Sequence, residues 1–216
     1  TIGVEKYLVS STATTGHQVQ SINNFIAAEQ EAHPEFIGFG SLHPEYEDIP
    51  GEIDRMISLN LKGIKLHPDF QKFNIDDEAA YPIYEAAEGR LPILFHTGDD
   101  RYEFSKPTRL YKVLEKFPKL IAIGAHLGGY RCWDEVDVYL GHPRLYIDTS
   151  SSLMFVTPQK AMEIIHKHGA DKVFFGTDSP MWRHKDEFER FNKLTLTPEE
   201  RKMILSGNAL KFFHID

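Results

Sequence analysis

The sequence predicts an α/β fold built on parallel strands, either a (β/α) barrel or a doubly wound open sheet. Three observations carry this. Apolar runs of strand length alternate with longer amphipathic stretches along all 216 residues. Strand ends recur about every 24–31 residues, the length of one β-α unit. Each crossover is too long for a hairpin, so neighbouring strands must run parallel. No composition break or low-complexity segment interrupts the pattern, so residues 1–216 read as a single domain.

In chain order, the strands are EKYLVSS (5–11), FIGFGSL (36–42), GIKLH (63–67), PILFH (92–96), LIAIGAH (120–126), LYIDTS (145–150) and KVFFGTD (172–178). Between them, QVQSINNFIAAEQEAH (18–33) sets Val19, Ile22, Phe25 and Ile26 on one helical stripe. Further helices are expected at 52–60, 77–88, 107–117, 133–141 and 158–169, the last started by Pro158 and stopped by Gly169. At 196–205, Thr197 is the expected N-cap, with Pro198 at the first position and Glu200 completing a capping box. No G-x-G-x-x-G phosphate loop follows any strand, which disfavours the open dinucleotide-binding sheet.

A net charge of -8 argues against a nucleic-acid partner. No run is long and apolar enough to span a membrane, and no secretory signal opens the chain. Cys132 is the only cysteine, which rules out an intrachain disulfide and a thiolate cluster and makes a reducing, cytoplasmic setting the default.

Function is read from where polar residues interrupt the strands. In a barrel the outward face packs on helices, and the inward face carries polar groups at the C-terminal rim. Strand alternation sets Gly63, Lys65 and His67 on one face, Leu94 with His96, Ala122 and Gly124 with His126, and Phe174 and Gly176 with Asp178. On this phase His67, His96, His126 and Asp178 all point into the mouth. A lone strand-end histidine is usually a satisfied loop residue, and His43 and His67 both precede proline. Two imidazoles and a carboxylate ending successive strands in phase are harder to dismiss, and they suit a borderline divalent metal such as Zn²⁺. His17, His33, His142, His166, His168, His184 and His214 read as surface or loop residues.

GIKLHP, LPILFHTG, IAIGAHLGG, LYIDTSS, FFGTDSPMW and ILSGNALKFF, in that order, resemble the amidohydrolase superfamily. The nearest branch is the amidohydrolase-2 group, which includes aminocarboxymuconate-semialdehyde decarboxylase and several aromatic-acid decarboxylases. The resemblance spans nearly the whole chain and implies a distorted (β/α)₈ TIM-type barrel with a metal at its C-terminal rim. By motif, His96 resembles the strand-five metal ligand. Asp178 resembles the strand-eight aspartate that binds the metal and handles the water proton. His126 resembles the strand-six histidine that holds the attacking water or the substrate. Lys65 and His67 fall on the strand-four segment; with Arg131, after HLGGY, they are the candidates to bind an anionic small-molecule substrate. Some two-metal relatives carbamylate a strand-four lysine, but this branch generally binds one ion: Zn²⁺ by default, Mn²⁺ as the alternative. Homodimers are common in the family.

The family's first strand ends in His-x-His, or Glu-x-His in some decarboxylases. No His-x-His precedes residue 96, and seven strands are visible rather than eight. The expectation is therefore a barrel lacking its first strand at the N-terminus, with open edges at 5–11 and 172–178 and too few ligands for this chain to be active alone. The resemblance implies a metal-dependent hydrolase that activates water to cleave a C–N or C–O bond. Non-oxidative decarboxylation of an aromatic or dienoic acid is the alternative, and a degenerate, non-catalytic barrel the third reading.

Overall fold

The computed structural model describes residues 2–215. All seven expected strands form, shorter than their apolar runs: β1 Tyr7–Ser10, β2 Phe36–Ser41, β3 Gly63–Leu66, β4 Ile93–Phe95, β5 Ala122–Gly124, β6 Leu145–Asp148 and β7 Val173–Phe174. Every pair is parallel and the order is sequential from β1 to β7. The sheet curls into a half-barrel flanked by helices. β1 and β7 are its two edges. Tyr7 on β1 approaches His184, just beyond β7, with ring centres 5.8 Å apart.

The helices begin where the local chemistry starts them. α1 (Val19–Ala32) follows β1, and α2 (Ile49–Ser58) starts where Asp48 accepts the Gly51 N–H. α3 (Pro68–Gln71) is a single turn opened by Pro68; α4 (Tyr81–Ala87) and α5 (Pro107–Lys116) also carry proline in the first turn. α6 (Pro158–His168) is capped by Thr157. α7 (His184–Phe191) precedes α8 (Pro198–Lys202), where the Thr197–Glu200 capping box forms as expected. A π-turn, Met203–Gly207, leads into α9 (Asn208–Phe213).

Three sequence expectations fail here. The stretch 133–141 is not a helix; it holds one 3₁₀ turn, Val136–Val138, because Gly141 (φ 80°) and Pro143 stop it before a second turn can form. α3, α7 and α9 were not expected: two are shorter than the apolar period can reveal, and α7 is mostly charged. His168, expected at the surface, is buried, with Nδ1 accepting the Gly141 N–H at 3.2 Å.

The core has two layers. Ile64, Leu66, Ile93, Phe95, Ala122, Leu145, Ile147 and Val173 face the helices. Ile37, Phe39, Leu94, Ile123, Ala125 and Phe174 face the opposite way and pack with Tyr146 and α9. Phe212 meets both Tyr146 and Phe174 edge-on, at 4.6 and 5.3 Å between ring centres, and Phe213 meets Phe39 at 5.9 Å. This aromatic layer fills the concave side of the sheet. Two residues further along four of the strands the same face turns polar: Phe39 is followed by Ser41, Gly63 by Lys65, Leu94 by His96 and Tyr146 by Asp148. The apolar plug is therefore the floor of a polar mouth.

Candidate metal centre

His67 directly follows β3, and Pro68 turns the chain at once into α3, so His67 sits at the N-cap and Asp69 in the first turn. Gln71 pins that turn. Its Oε1 accepts the His67 backbone N–H at 2.8 Å, and its Nε2 donates to the carbonyls of Ala13 (2.8 Å) and Leu42 (2.7 Å). His96 extends β4, its N–H donating to Leu66 O at 2.9 Å. The two strand ends stack the imidazoles of His67 and His96, 3.9 Å between centres and 9° from parallel. Asp69 Oδ2 lies 3.5 Å from His96 Nε2 and accepts the Ser105 hydroxyl at 2.6 Å.

Among the described residues, one group of three or more His, Cys, Asp or Glu side chains is close enough to hold an ion. It is His67, Asp69 and His96, whose candidate ligand atoms lie within 4.8 Å of one another. His67 Nδ1, His96 Nε2 and Asp69 Oδ1 are all buried and lack a hydrogen-bond partner. Leaving three such atoms unpaired in one place is costly unless something electrophilic sits among them. Burial pushes both imidazoles down, His67 to about 3 and His96 well below its ordinary value, which keeps their lone pairs free. Burial also raises the Asp69 carboxyl, against the Ser105 hydrogen bond. Two neutral imidazoles and a carboxylate fit a divalent metal.

His126 reaches the mouth by a different route from the one its strand phase suggested. Ile123 and Ala125 face inward, while Ala122 belongs to the helix-side core, so plain alternation would send His126 outward. The strand ends at Gly124, and His126, Leu127 and Gly128 take φ of 64°, 51° and 79°. This left-handed run turns the imidazole in and Leu127 out. The Asp148 carbonyl accepts the Leu127 N–H at 2.6 Å, and Trp133 Nε1 donates to His126 O at 2.9 Å, holding the kink. His126 Nε2 then lies 3.0 Å from His96 Nδ1, and burial lowers its pKa against the opposing charges of Asp148 and Asp178.

Lys65 lies beneath the imidazoles. Burial lowers its pKa, with Asp148 and Asp178 opposing, yet no carboxylate pairs with it within 4.0 Å among the described residues. Asp178, at φ 56°, stands outside the three-residue group; its Oδ2 accepts the Ser151 hydroxyl at 2.6 Å, and Trp182 Nε1 donates to that hydroxyl at 2.9 Å. Arg131 is half-exposed at the rim, its guanidinium 4.3 Å over the Phe155 ring and 4.0 Å from Asp100.

Of the residues singled out in the sequence, His67, His96 and His126 thus come together, Lys65 and Asp178 flank them, and Arg131 is peripheral. Asp69 was missed. The available signal was His-Pro-Asp at a strand end, where proline forces a turn that brings the next acid back beside the histidine.

No helix among the described residues is long and apolar enough to cross a membrane. The fold is that of several solved structures. The 5-carboxyvanillate decarboxylase of Sphingomonas paucimobilis superposes with a TM-score of 0.80 at 19% identity, over 99% of this chain and 80% of that one. The 2,6-dihydroxybenzoate decarboxylase from Rhizobium gives 0.79 at 18%, over 99% and 85%. The 5-carboxyvanillate decarboxylase of Novosphingobium aromaticivorans, complexed with manganese and 4-hydroxy-3-methoxy-5-nitrobenzoic acid, gives 0.79 at 19%, over 98% and 77%. The family model described as amidohydrolase matches residues 9–215, almost the whole chain, and the chain belongs to the amidohydrolase family.

Proposed function

We propose that this chain is a metal-dependent decarboxylase of a small aromatic or dienoic acid. The observation that carries the reading is the buried His67–Asp69–His96 group, with three donor atoms unpaired, beside a buried lysine that no carboxylate among the described residues pairs with within 4.0 Å. The similar folds of aromatic-acid decarboxylases, one of them holding manganese and a nitrobenzoic acid, support the choice of reaction and substrate class.

A divalent ion, Mn²⁺ or Zn²⁺, would be held by His96 and Asp69, with His67 stacked against His96, and by Asp178 on the family resemblance; it would supply Lewis acidity and neutralise substrate charge. Lys65, His67 and Arg131 bind the carboxylate and fix the acid in the mouth. Asp178 delivers a proton to the ring carbon bearing the carboxylate. That carbon gains a C–H bond, its bond to the carboxylate breaks, and CO₂ leaves. His126, its Nε2 3.0 Å from His96 Nδ1, holds the His96 ring in place. The aromatic floor of Tyr146, Phe174 and Phe212 keeps water from entering below. The one thiol, Cys132, is free, in keeping with a reducing cytoplasmic setting.

Hydrolysis of a C–N or C–O bond is the second reading. The description of the matched family and a similar fold in an amidohydrolase from Staphylococcus aureus, itself of unproven activity (TM-score 0.73, 20% identity, 92% of this chain and 80% of that one), favour it. The test is to load the protein with Mn²⁺ or Zn²⁺ and offer hydroxylated benzoates and, separately, amides and lactones. CO₂ release supports decarboxylation; release of ammonia or acid without CO₂ transfers the assignment to hydrolysis.

A further inference from the structure

A line of four side chains runs from the end of β6 to the donor group, and it determines which nitrogen of His96 carries a proton. Asp148 is the fixed end. Its Oδ1 accepts the backbone N–H of His126 at 3.2 Å and of Ser150 at 2.8 Å, and it also accepts the Ser150 hydroxyl. An ionised carboxylate can only accept, so the hydroxyl proton points at Asp148. Ser150 Oγ therefore meets His126 Nδ1, 3.0 Å away, with a lone pair. The Ser150 carbonyl, which can only accept, lies 2.9 Å from the same nitrogen. Both partners require a proton on His126 Nδ1.

In the neutral ring, Nε2 of His126 is then bare. It lies 3.0 Å from His96 Nδ1. Two bare nitrogens at that distance would repel, so His96 Nδ1 must be the donor. His96 Nε2 is left bare, buried, without a hydrogen-bond partner and 3.5 Å from Asp69 Oδ2.

We propose that Asp148 and Ser150 are positioning residues that act through His126 to hold His96 in its Nδ1–H tautomer, presenting the Nε2 lone pair to Asp69 and His67. A histidine free of such a partner prefers the Nε2–H form, which would put a proton where the ion must bind. The relay removes that competition before any ion arrives, as outer partners of ligating histidines do. The value of the arrangement rests on the metal reading above, but the tautomer itself is a property of the metal-free protein. Asp148 has a second duty in the same relay: its carbonyl and its carboxylate both hold the kink that turns His126 inward.

Long-range ¹H–¹⁵N correlation spectra of the uniformly labelled, metal-free protein read the tautomer directly, with His96 assigned by loss of its signals in His96→Gln. The expected pattern is a protonated Nδ1 and a bare Nε2 at both His96 and His126. In His126→Phe, His96 shifts toward Nε2–H and Mn²⁺ affinity falls about 10–100-fold. Asp148→Ala shifts His96 the same way, while Asp148→Asn, which keeps an acceptor oxygen in place, restores the wild-type pattern. A protonated Nε2 on His96 in the wild-type protein overturns the proposal without any variant, and so does a His96 pattern indifferent to His126→Phe. Turnover is not measured, so absence of CO₂ release counts against the functional reading alone.

Discussion

His67 and His96 stack face to face, 3.9 Å between ring centres and 9° from parallel. An ion bound through a ring nitrogen lies in the plane of that ring. Two parallel rings at this separation do not share a plane, so one ion cannot be well placed for both as they stand. His96 is the better placed, because its unpaired Nε2 faces Asp69. Calorimetric titration with Mn²⁺ should therefore lose more than about 100-fold in affinity in His96→Ala and only about 10-fold in His67→Ala, which buttresses the first ring. Equal losses would mean that both rings ligate and that His67 swings out of the stack.

Lys65 is buried in the mouth, where burial lowers its pKa, and among the described residues no carboxylate pairs with it within 4.0 Å. If its amine serves the substrate carboxylate, Lys65→Met should raise KM by about tenfold or more while leaving Mn²⁺ affinity within about twofold, since a charge-assisted hydrogen bond is worth about 1.5–3 kcal/mol. Steady-state kinetics beside a metal titration separates the two. A fall in metal affinity with KM unchanged would assign Lys65 to the ion instead.

Gly98 ties the loop after His96 to the loop after His126. It has φ 75°, and a Cβ there would meet the Gly129 and Tyr130 backbone at 2.6 Å. Backbone cannot yield as a side chain does, so Gly98→Ala should cost roughly 3 kcal/mol from strain and overlap together. Urea denaturation reads the loss; a cost below about 1 kcal/mol would show that the two loops separate freely.

His168 gives the molecule an acid-sensitive joint remote from the mouth. Burial holds its pKa at about 4, below the ordinary 6.5, with the nearby Lys172 charge adding to the effect. Between those values the unfolded chain binds more protons than the folded one. The contribution to stability is therefore complete above pH 6.5, is lost as pH falls toward 4, and amounts to about 3 kcal/mol. His168→Gln should flatten this part of the stability profile. Wild-type and variant profiles of equal slope between pH 6.5 and 4 would place the acid sensitivity elsewhere.

Much of the fold was legible because a parallel sheet writes itself plainly. Strands buried on both faces read as unbroken apolar runs, such as 36–39 and 92–95, and their even spacing gives the order. Strand ends were less legible, since side-chain alternation holds only while the strand lasts. His126 shows the cost: the strand stops two residues before it, and a left-handed kink reverses its direction. Asp69 was invisible for a related reason, because one helical turn after Pro68, too short to leave a periodic signature, brings it back to His96. His168 looked like one of several charged residues at a helix end, and only tertiary packing under Gly141 buries it.

The most direct measurement is anomalous diffraction from crystals of this protein soaked in Mn²⁺. The expected result is a single anomalous peak in the mouth, within about 2.5 Å of His96 Nε2 and beside the Asp69 carboxylate. No peak at the strand ends, or one held without His96, would contradict the assignment of this group as the metal centre.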